Sequence, residues 1–442
     1  MTLTVYPSTK LHGEISLPGD KSISHRAALF AALAQGESKV NNFLVSGVTS
    51  VMLENLELLG ISYQLENTTL SIRSQGIHQL HPPKSTLDCG NSATTMRLLA
   101  GLLAAAGLPA SLDGSPSLRL RPMSRIIDPL RLMGVPISGN SKGHAPLILH
   151  HRPPNQKLQP LMFNLPVASA QVKTTLILAA LGAEDVSTLS EPFVSRDHTE
   201  RMLARMGANI TRSNDGRSIS IQPLDLMMTP VLKPLSINIP GDISSAAFLI
   251  VAALISPGAQ IKIMDVGINK TRTGLIDVLV EMGADIQILP KGEHNQEPIG
   301  DLLIQHSNLK GVEIAGETVV RMIDEFPAFA VAAIYASGKT IVREAQELRH
   351  KESDRIASLC LELEQLDIGI TETVDGFVIQ GGLPVEGGQV HSHGDHRLAM
   401  ALAILGINAK NPITVMDSEI ISESFPGFIN ALTAMGVNLS IG

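Results

Sequence analysis

Apolar and polar positions along this chain switch between two periods, and the switching itself repeats. Dense Ala/Leu runs such as residues 27–34 and 98–108 read as helices, whereas Gln260-Ile-Lys-Ile-Met264 alternates like a strand. A second helix then closes on Leu/Met-x-Gly and leads into another alternating stretch. That ending occurs at Leu58-Leu-Gly60, Leu132-Met-Gly134, Arg205-Met-Gly207, Glu281-Met-Gly283 and Ala434-Met-Gly436, with a weaker copy at Gln365-Leu-Asp367. The copies stand roughly 70–85 residues apart, longer than the ~20–50 residues of solenoid repeats. Glycine after the methionine suits a left-handed residue just past a helix end.

Each unit also opens alike, on a turn of small polar residues before its first helix. The openings are residues 18–22, 88–92, 166–169, 240–245, 323–327 and 393–397. The expected unit is strand–helix–strand–helix–strand–strand, repeated six times, an α/β fold of two domains with three units each. Six helix N-termini in comparable places would focus positive potential on a ligand if they converged. Pro-containing turns at Pro18-Gly19 and residues 232–236 are the linker candidates. They give one lobe of residues 19–234 and another of residues 1–18 plus 235–442, with the N-terminal strand joining the second lobe. Residues 291–300, polar and Pro-containing, read as a loop.

Composition narrows the function. A chain of 442 residues with 44% apolar positions can build two cores. Aromatics make up 3% and tryptophan is absent, which argues against base-stacking platforms, and a formal charge of −8 argues against a general polyanion binder. Positive charge must therefore be concentrated locally. The two cysteines, Cys89 and Cys360, form neither a disulfide framework nor a CxxC pair. No secretory pattern opens the chain and no apolar run is long enough to span a membrane, so a soluble, cytoplasmic protein is expected.

Chemistry-bearing residues gather at the openings. Lys21, Ser22, Ser24 and Arg26 precede the Ala27–Ala34 helix run, where free backbone N–H groups favour an anion; a plain Ser-capped helix fits this stretch as well. Residues 88–97 repeat the anion-turn logic with Gly90 and small neighbours. Arg121 before Pro122 is extended. Ser169, Ala170 and Gln171 begin a helix, as do Ser195-Arg196-Asp197-His198. Asp324 and Glu325 sit in an apolar run, where carboxylates are seldom buried unless paired; a general base and a helix cap both account for them. His350-Lys351-Glu352-Ser353-Asp354-Arg355 packs five ionisable groups into a helix start, with Lys351 and Arg355 expected on one helix face. The histidines at 391, 393 and 396 lack any strong zinc spacing, and no phosphate-binding nucleotide loop is present.

Taken together, these turns resemble 5-enolpyruvylshikimate-3-phosphate synthases, 3-phosphoshikimate 1-carboxyvinyltransferases, over residues 18–428. The resemblance rests on Leu17-Pro-Gly-Asp-Lys-Ser-Ile-Ser-His-Arg26, Gly90-Asn-Ser-Ala-Thr-Thr-Met-Arg97, Arg121-Pro122, Ser169-Ala-Gln171, Arg196-Asp-His198, Asp324, Lys351-Glu-Ser-Asp-Arg355 and Asp395-His-Arg397. It implies the two-lobed enolpyruvyl transferase fold, an inside-out α/β barrel of six βαβαββ repeats with the active site between the lobes. The implied reaction adds the 5-hydroxyl of shikimate 3-phosphate to C2 of phosphoenolpyruvate, protonates C3 and eliminates phosphate, the sixth step of chorismate and aromatic amino acid biosynthesis.

Roles carry over by position. Ser22 and Arg26 match the ligands of the shikimate carboxylate, and Ser169, Ala170 through its backbone and Gln171 the ligands of its phosphate, with Arg196 a further partner. Lys21, Arg121 and Gln171 match the phosphoenolpyruvate phosphate site, Arg355 and Arg397 its carboxylate site, and Ala93 the turn lining that pocket. Asp324 matches the base on the 5-hydroxyl, Glu352 the proton relay at the methylene carbon and Lys351 a contact to the ring hydroxyls; Lys21 is grouped with the catalytic residues. Ala93 where many members have Gly, and Glu423 where some carry Lys before the Ser-Phe-Pro run, resemble the second class of the family. No metal or organic cofactor is implied. Small-molecule substrates, a monomer, no nucleic acid and no membrane are expected. The rival is UDP-N-acetylglucosamine 1-carboxyvinyltransferase, whose loop cysteine would fall near Ser115-Pro116, where this chain has none.

Overall fold

Every second helix of a repeat is followed by a residue in a left-handed conformation, which few residues other than glycine permit. In the computed structural model, which describes residues 1–153, 156–224, 231–294 and 296–442, φ is +85° to +104° at Gly60, Gly134, Gly207, Gly283 and Gly436, and +57° at Asp367. These residues end the helices Gly47–Leu58, Ser124–Leu132, His198–Arg205, Gly274–Glu281, Phe428–Ala434 and Arg355–Gln365. A β-carbon is disfavoured there, and Asp is among the few residues that tolerate it.

Six four-stranded sheets follow. Within each repeat the strands lie in the order first–second–fourth–third. The first pairs parallel with the second, and the second antiparallel with the fourth. In the four repeats whose first two strands follow one another in the chain, the link is a helical crossover, as parallel neighbours require. Three repeats borrow a strand from a distant part of the chain. Ser236–Asn238 pairs with Gln35–Asn41, and His12–Ser16 pairs with Gln260–Gly267. Leu3–Val5 completes the last sheet between Ile413–Met416 and Leu439–Ile441.

The chain divides into two compact units. One holds Met1–Asp20, Pro240–Glu293 and Pro298–Gly442; the other holds Lys21–Ile239 with His294–Glu297. Each has its own apolar core. In the first unit the helices Ile243–Ile255, Phe326–Tyr335 and His396–Leu405 pack on one another, and Ile243–Ile255 is buried along its whole length. A helix apolar all round has no face to offer water. In the second unit Ala93–Ala106 packs against Lys21–Leu33 and Ala170–Ala180. The approach to Ala170–Ala180 depends on Gly101, where a β-carbon would lie 2.5 Å from the Thr175 carbonyl oxygen.

Three expectations change. The first helix starts at Lys21 rather than Ala27, and Ser24, His25 and Arg26 lie buried inside it. They are tolerated because each finds a partner: Leu44 N–H donates to Ser24 Oγ at 3.0 Å, and Arg26 and His25 are fully engaged in hydrogen bonds. Residues 291–294 and 297–300 are not a loop but belong to the strands Asp285–His294 and Glu297–Gln305; within the predicted loop Asn295 lies outside the described residues. The first of these is an exposed edge strand, so its polarity reports solvent rather than irregular backbone. Lys351 stands ahead of the helix Arg355–Gln365 instead of on its face.

Candidate functional site

In the unit Lys21–Ile239 the three helix openings meet through side chains. Ser92 caps Ala93–Ala106, accepting from Thr95 N at 3.1 Å, and its Oγ lies 3.3 Å from Nε2 of buried His25. His25 Nδ1 faces the Lys21 carbonyl at 2.8 Å. Burial pushes the imidazole down to about 4, since an unpaired buried charge is costly. Ser169 caps Ala170–Ala180. Gln171 on that helix accepts from Arg97 Nη1 at 2.7 Å and donates to Thr94 Oγ1 at 2.9 Å. Arg97 also donates to the Pro122 carbonyl at 3.0 Å, beside buried, extended Arg121.

Arg26 binds inward. Its Nε donates to Thr199 Oγ1 at 2.8 Å, and its Nη groups to Thr174 Oγ1 at 2.9 Å and to the Ser22 and Ala170 carbonyls. Arg196 Nη1 reaches Ser22 Oγ at 3.4 Å. Lys21, Ser22, Arg26, Ser169, Ala170, Gln171 and Arg196 therefore share one neighbourhood, with Arg121 tied in through Arg97. Ala93 is the first residue of its helix and only 2% exposed.

The second cluster lies in the other unit and centres on Asp324. Its carboxylate receives Lys351 Nζ at 3.2 Å and Arg355 Nη1 at 3.4 Å on the same oxygen, with Arg397 Nη2 3.9 Å from the other. Arg397 also donates to the Asp324 carbonyl at 3.2 Å. The carboxylate thus engages cations rather than capping the following helix, as the alternative reading had it. Arg355 extends the network, donating to Glu352 at 2.6 Å and to Asp395 at 2.7 Å. Asp395 in turn caps His396–Leu405. Burial works against the Arg355 charge, but Asp395, Glu352 and Asp324 outweigh it and hold the guanidinium well above its ordinary value. The Asp324, Glu352 and Lys351 side chains stay 15–25% exposed, so a ligand can reach them. Two planar guanidinium forks beside two carboxylates can hold an anion and move protons next to it.

Among the described residues one group has the spacing of cation ligands: Asp197, His198 and Glu297, all buried. Its atoms are already engaged, Asp197 by Arg201 and Arg212 and His198 by Glu297 at 2.6 Å. The histidines of residues 391–396 face carboxylates, with His393 2.5 Å from Glu362 and His396 3.8 Å from Glu423. Sequence reading passed over Thr94, Thr174, Thr199, Arg97 and Asp395 as supports. Thr94, Arg97 and Asp395 lie inside the motifs already singled out; Thr174 and Thr199 carry no local signal.

The sequence profile of EPSP synthase (3-phosphoshikimate 1-carboxyvinyltransferase) matches residues 5–432. The chain belongs to the EPSP synthase family. A curated member named 3-phosphoshikimate 1-carboxyvinyltransferase from Coxiella burnetii (strain RSA 493 / Nine Mile phase I) is 44% identical over 99% of this chain and 98% of its own length. One from Geobacter metallireducens is 45% identical over 97% and 98%. The solved EPSP synthase of Acinetobacter baumannii superposes with a TM-score of 0.86 at 38% identity, covering 100% of this chain and 99% of that one. The enolpyruvyl transferase NikO of Streptomyces tendae, at 18% identity and a TM-score of 0.79, shares the fold. The six repeated α/β units are accordingly those of the enolpyruvyl transferases. No helix among the described residues is long and apolar enough to cross a membrane.

Proposed function

We propose that this family member transfers the enolpyruvyl group of phosphoenolpyruvate to the 5-hydroxyl of shikimate 3-phosphate, releasing phosphate, and that the two side-chain clusters act on one substrate pair. The observation carrying this is the Asp324 cluster. Asp324 is held by Lys351 and Arg355 at 3.2 and 3.4 Å, and Glu352 sits on the far side of the same guanidinium. Asp324 takes the proton of the attacking hydroxyl. Glu352 delivers a proton to the methylene carbon and later removes one, so that phosphate can leave. Arg355 and Arg397 hold the phosphoenolpyruvate carboxylate. Lys21, Arg121 and Gln171 hold its phosphate, while Ser22, Arg26, Ser169, Ala170 and Arg196 hold shikimate 3-phosphate. No step calls for a metal or organic cofactor. The setting is the cytoplasm and the working form a monomer; light scattering at the 47.1 kDa of one chain tests the latter.

Phosphate release from the two substrates, in the presence of a chelator, tests the reaction. Release with UDP-N-acetylglucosamine in place of shikimate 3-phosphate would move the chain to the rival activity. A second expectation concerns glyphosate, which in this family competes with phosphoenolpyruvate. Ala93 carries one methyl group more than the glycine common at this turn, and is itself buried. Overpacking typically costs ~1–3 kcal/mol, roughly ten- to a hundredfold in affinity. Ala93→Gly should therefore lower the glyphosate inhibition constant by about that factor, measured at matched phosphoenolpyruvate saturation; equal constants would clear the methyl of this role.

A further inference from the structure

Residues 191–197 link the strand Ser187–Ser190 to the helix His198–Arg205 without a ladder or helix of their own. Nothing in the backbone pattern therefore fixes Arg196, yet its guanidinium is delivered to Ser22. Under this loop lies a buried charge cluster. Lys173, projecting from Ala170–Ala180, places Nζ 2.7 Å from Glu191 Oε1 and 2.9 Å from Glu200 Oε1. All three side chains are at most 7% exposed. Burial works against the Lys173 charge, but Glu200 and Glu191 outweigh it and raise the ammonium above its ordinary value. The same Glu191 oxygen accepts the backbone N–H of Ser195 at 2.8 Å, and Lys173 Nζ lies 3.4 Å from the Ser195 carbonyl oxygen. Both peptide groups of the residue just before Arg196 are thus gripped by one ion pair, whose lysine sits two positions after Gln171.

We propose that Glu191, held by Lys173, is a positioning residue for Arg196: it sets the Ser195 backbone so that the guanidinium meets the phosphate of shikimate 3-phosphate. The inference rests on the reading that Arg196 is a ligand of that phosphate. It makes a buried pair, which touches no substrate, a determinant of affinity for one substrate and not the other. Glu191→Leu removes the acceptor for Ser195 while leaving Lys173 its partner Glu200. A lost charge-assisted hydrogen bond corresponds to about tenfold or somewhat more.

Calorimetric binding and steady-state kinetics test this together. Glu191→Leu should weaken shikimate 3-phosphate binding about tenfold and raise its KM alike, with the KM for phosphoenolpyruvate unchanged. Glu191→Gln, which keeps the acceptor oxygen, should restore most of the loss. Adding Glu191→Leu to Arg196→Gln should cost nothing further, because the positioned group is already gone. Equal loss for both substrates, multiplicative losses in the double variant, or native affinity in Glu191→Leu would each overturn the proposal. If Glu191→Leu does not fold, Glu191→Asp, whose shorter arm cannot span to Ser195 while paired with Lys173, carries the same expectations. A native protein that fails to bind shikimate 3-phosphate would instead overturn the substrate reading, and this inference with it.

Discussion

Replacing Glu352 by Gln should cut kcat by about 10²–10⁴ while moving either KM only a few-fold, because general acid–base catalysis is lost and shape is kept. The geometry makes this a sharp test. Glu352 accepts from Arg355 Nη2 at 2.6 Å, and a Gln carbonyl oxygen can accept the same bond. Arg355 also keeps Asp395 at 2.7 Å and Asp324 at 3.4 Å, so the carboxylate-binding fork has no reason to move. What the amide cannot do is take up and return a proton at the methylene carbon. Steady-state kcat and KM for both substrates, with thermal unfolding as the control for folding, decide it. A variant with near-native kcat would remove Glu352 from the proton path. A variant with raised KM and intact kcat would make it a binding group.

The parts of this molecule that could be read from the chain alone are those whose cause is local. The left-handed turn after Met133 or Met206 strongly favours a residue without a β-carbon at that very position, so the glycine announces it. The helix openings at Ser92, Ser169, Asp242 and Asp395 were equally legible, since a capping side chain acts within three residues. The start of the first helix was not. Ser24, His25 and Arg26 look like surface residues until Leu44 and Ser92 supply partners for the first two, and Thr174 and Thr199, some 150 and more residues away, for Arg26. The edge strand over Asp285–His294 failed for the converse reason: a strand with both faces exposed shows no period-two pattern. The Asp324 cluster was expected residue by residue from resemblance, but its wiring depends on how two repeats stack, and spacing in the chain says nothing of that. Arg272 marks the limit. No motif contains it, and its partners Asp20, Asp242 and Glu325 come from three separate segments.

Arg272 is also where the largest loss of stability is expected. It is buried, with Nη1 2.8 Å from Asp20 and Nη2 2.8 Å from Ser244 Oγ, 3.4 Å from Asp242 and 3.8 Å from Glu325; Ser244 donates to Glu325 as well. Burial works against the guanidinium charge, but Asp20, Asp242 and Glu325 more than compensate. Arg272→Leu would fill much of the volume and leave three buried carboxylates around a missing cation. Breaking a buried pair in this way typically costs ~3–5 kcal/mol, which for a unit of this size lowers Tm by on the order of 10 °C. The pH dependence separates charge from packing. Without the cation these carboxylates bind protons more tightly when folded than when unfolded, so their folded pKa values rise above the ordinary carboxylate range of about 4. The folded variant then holds more protons than the unfolded chain, and its stability relative to the native protein must increase as pH falls. Thermal unfolding of both proteins at about pH 8 and about pH 5 should show the gap in Tm narrowing in acid. A gap that stays constant would assign the cost to packing lost around the shorter leucine side chain rather than to uncompensated charge, and would mean that the carboxylates find other partners once the arginine is gone.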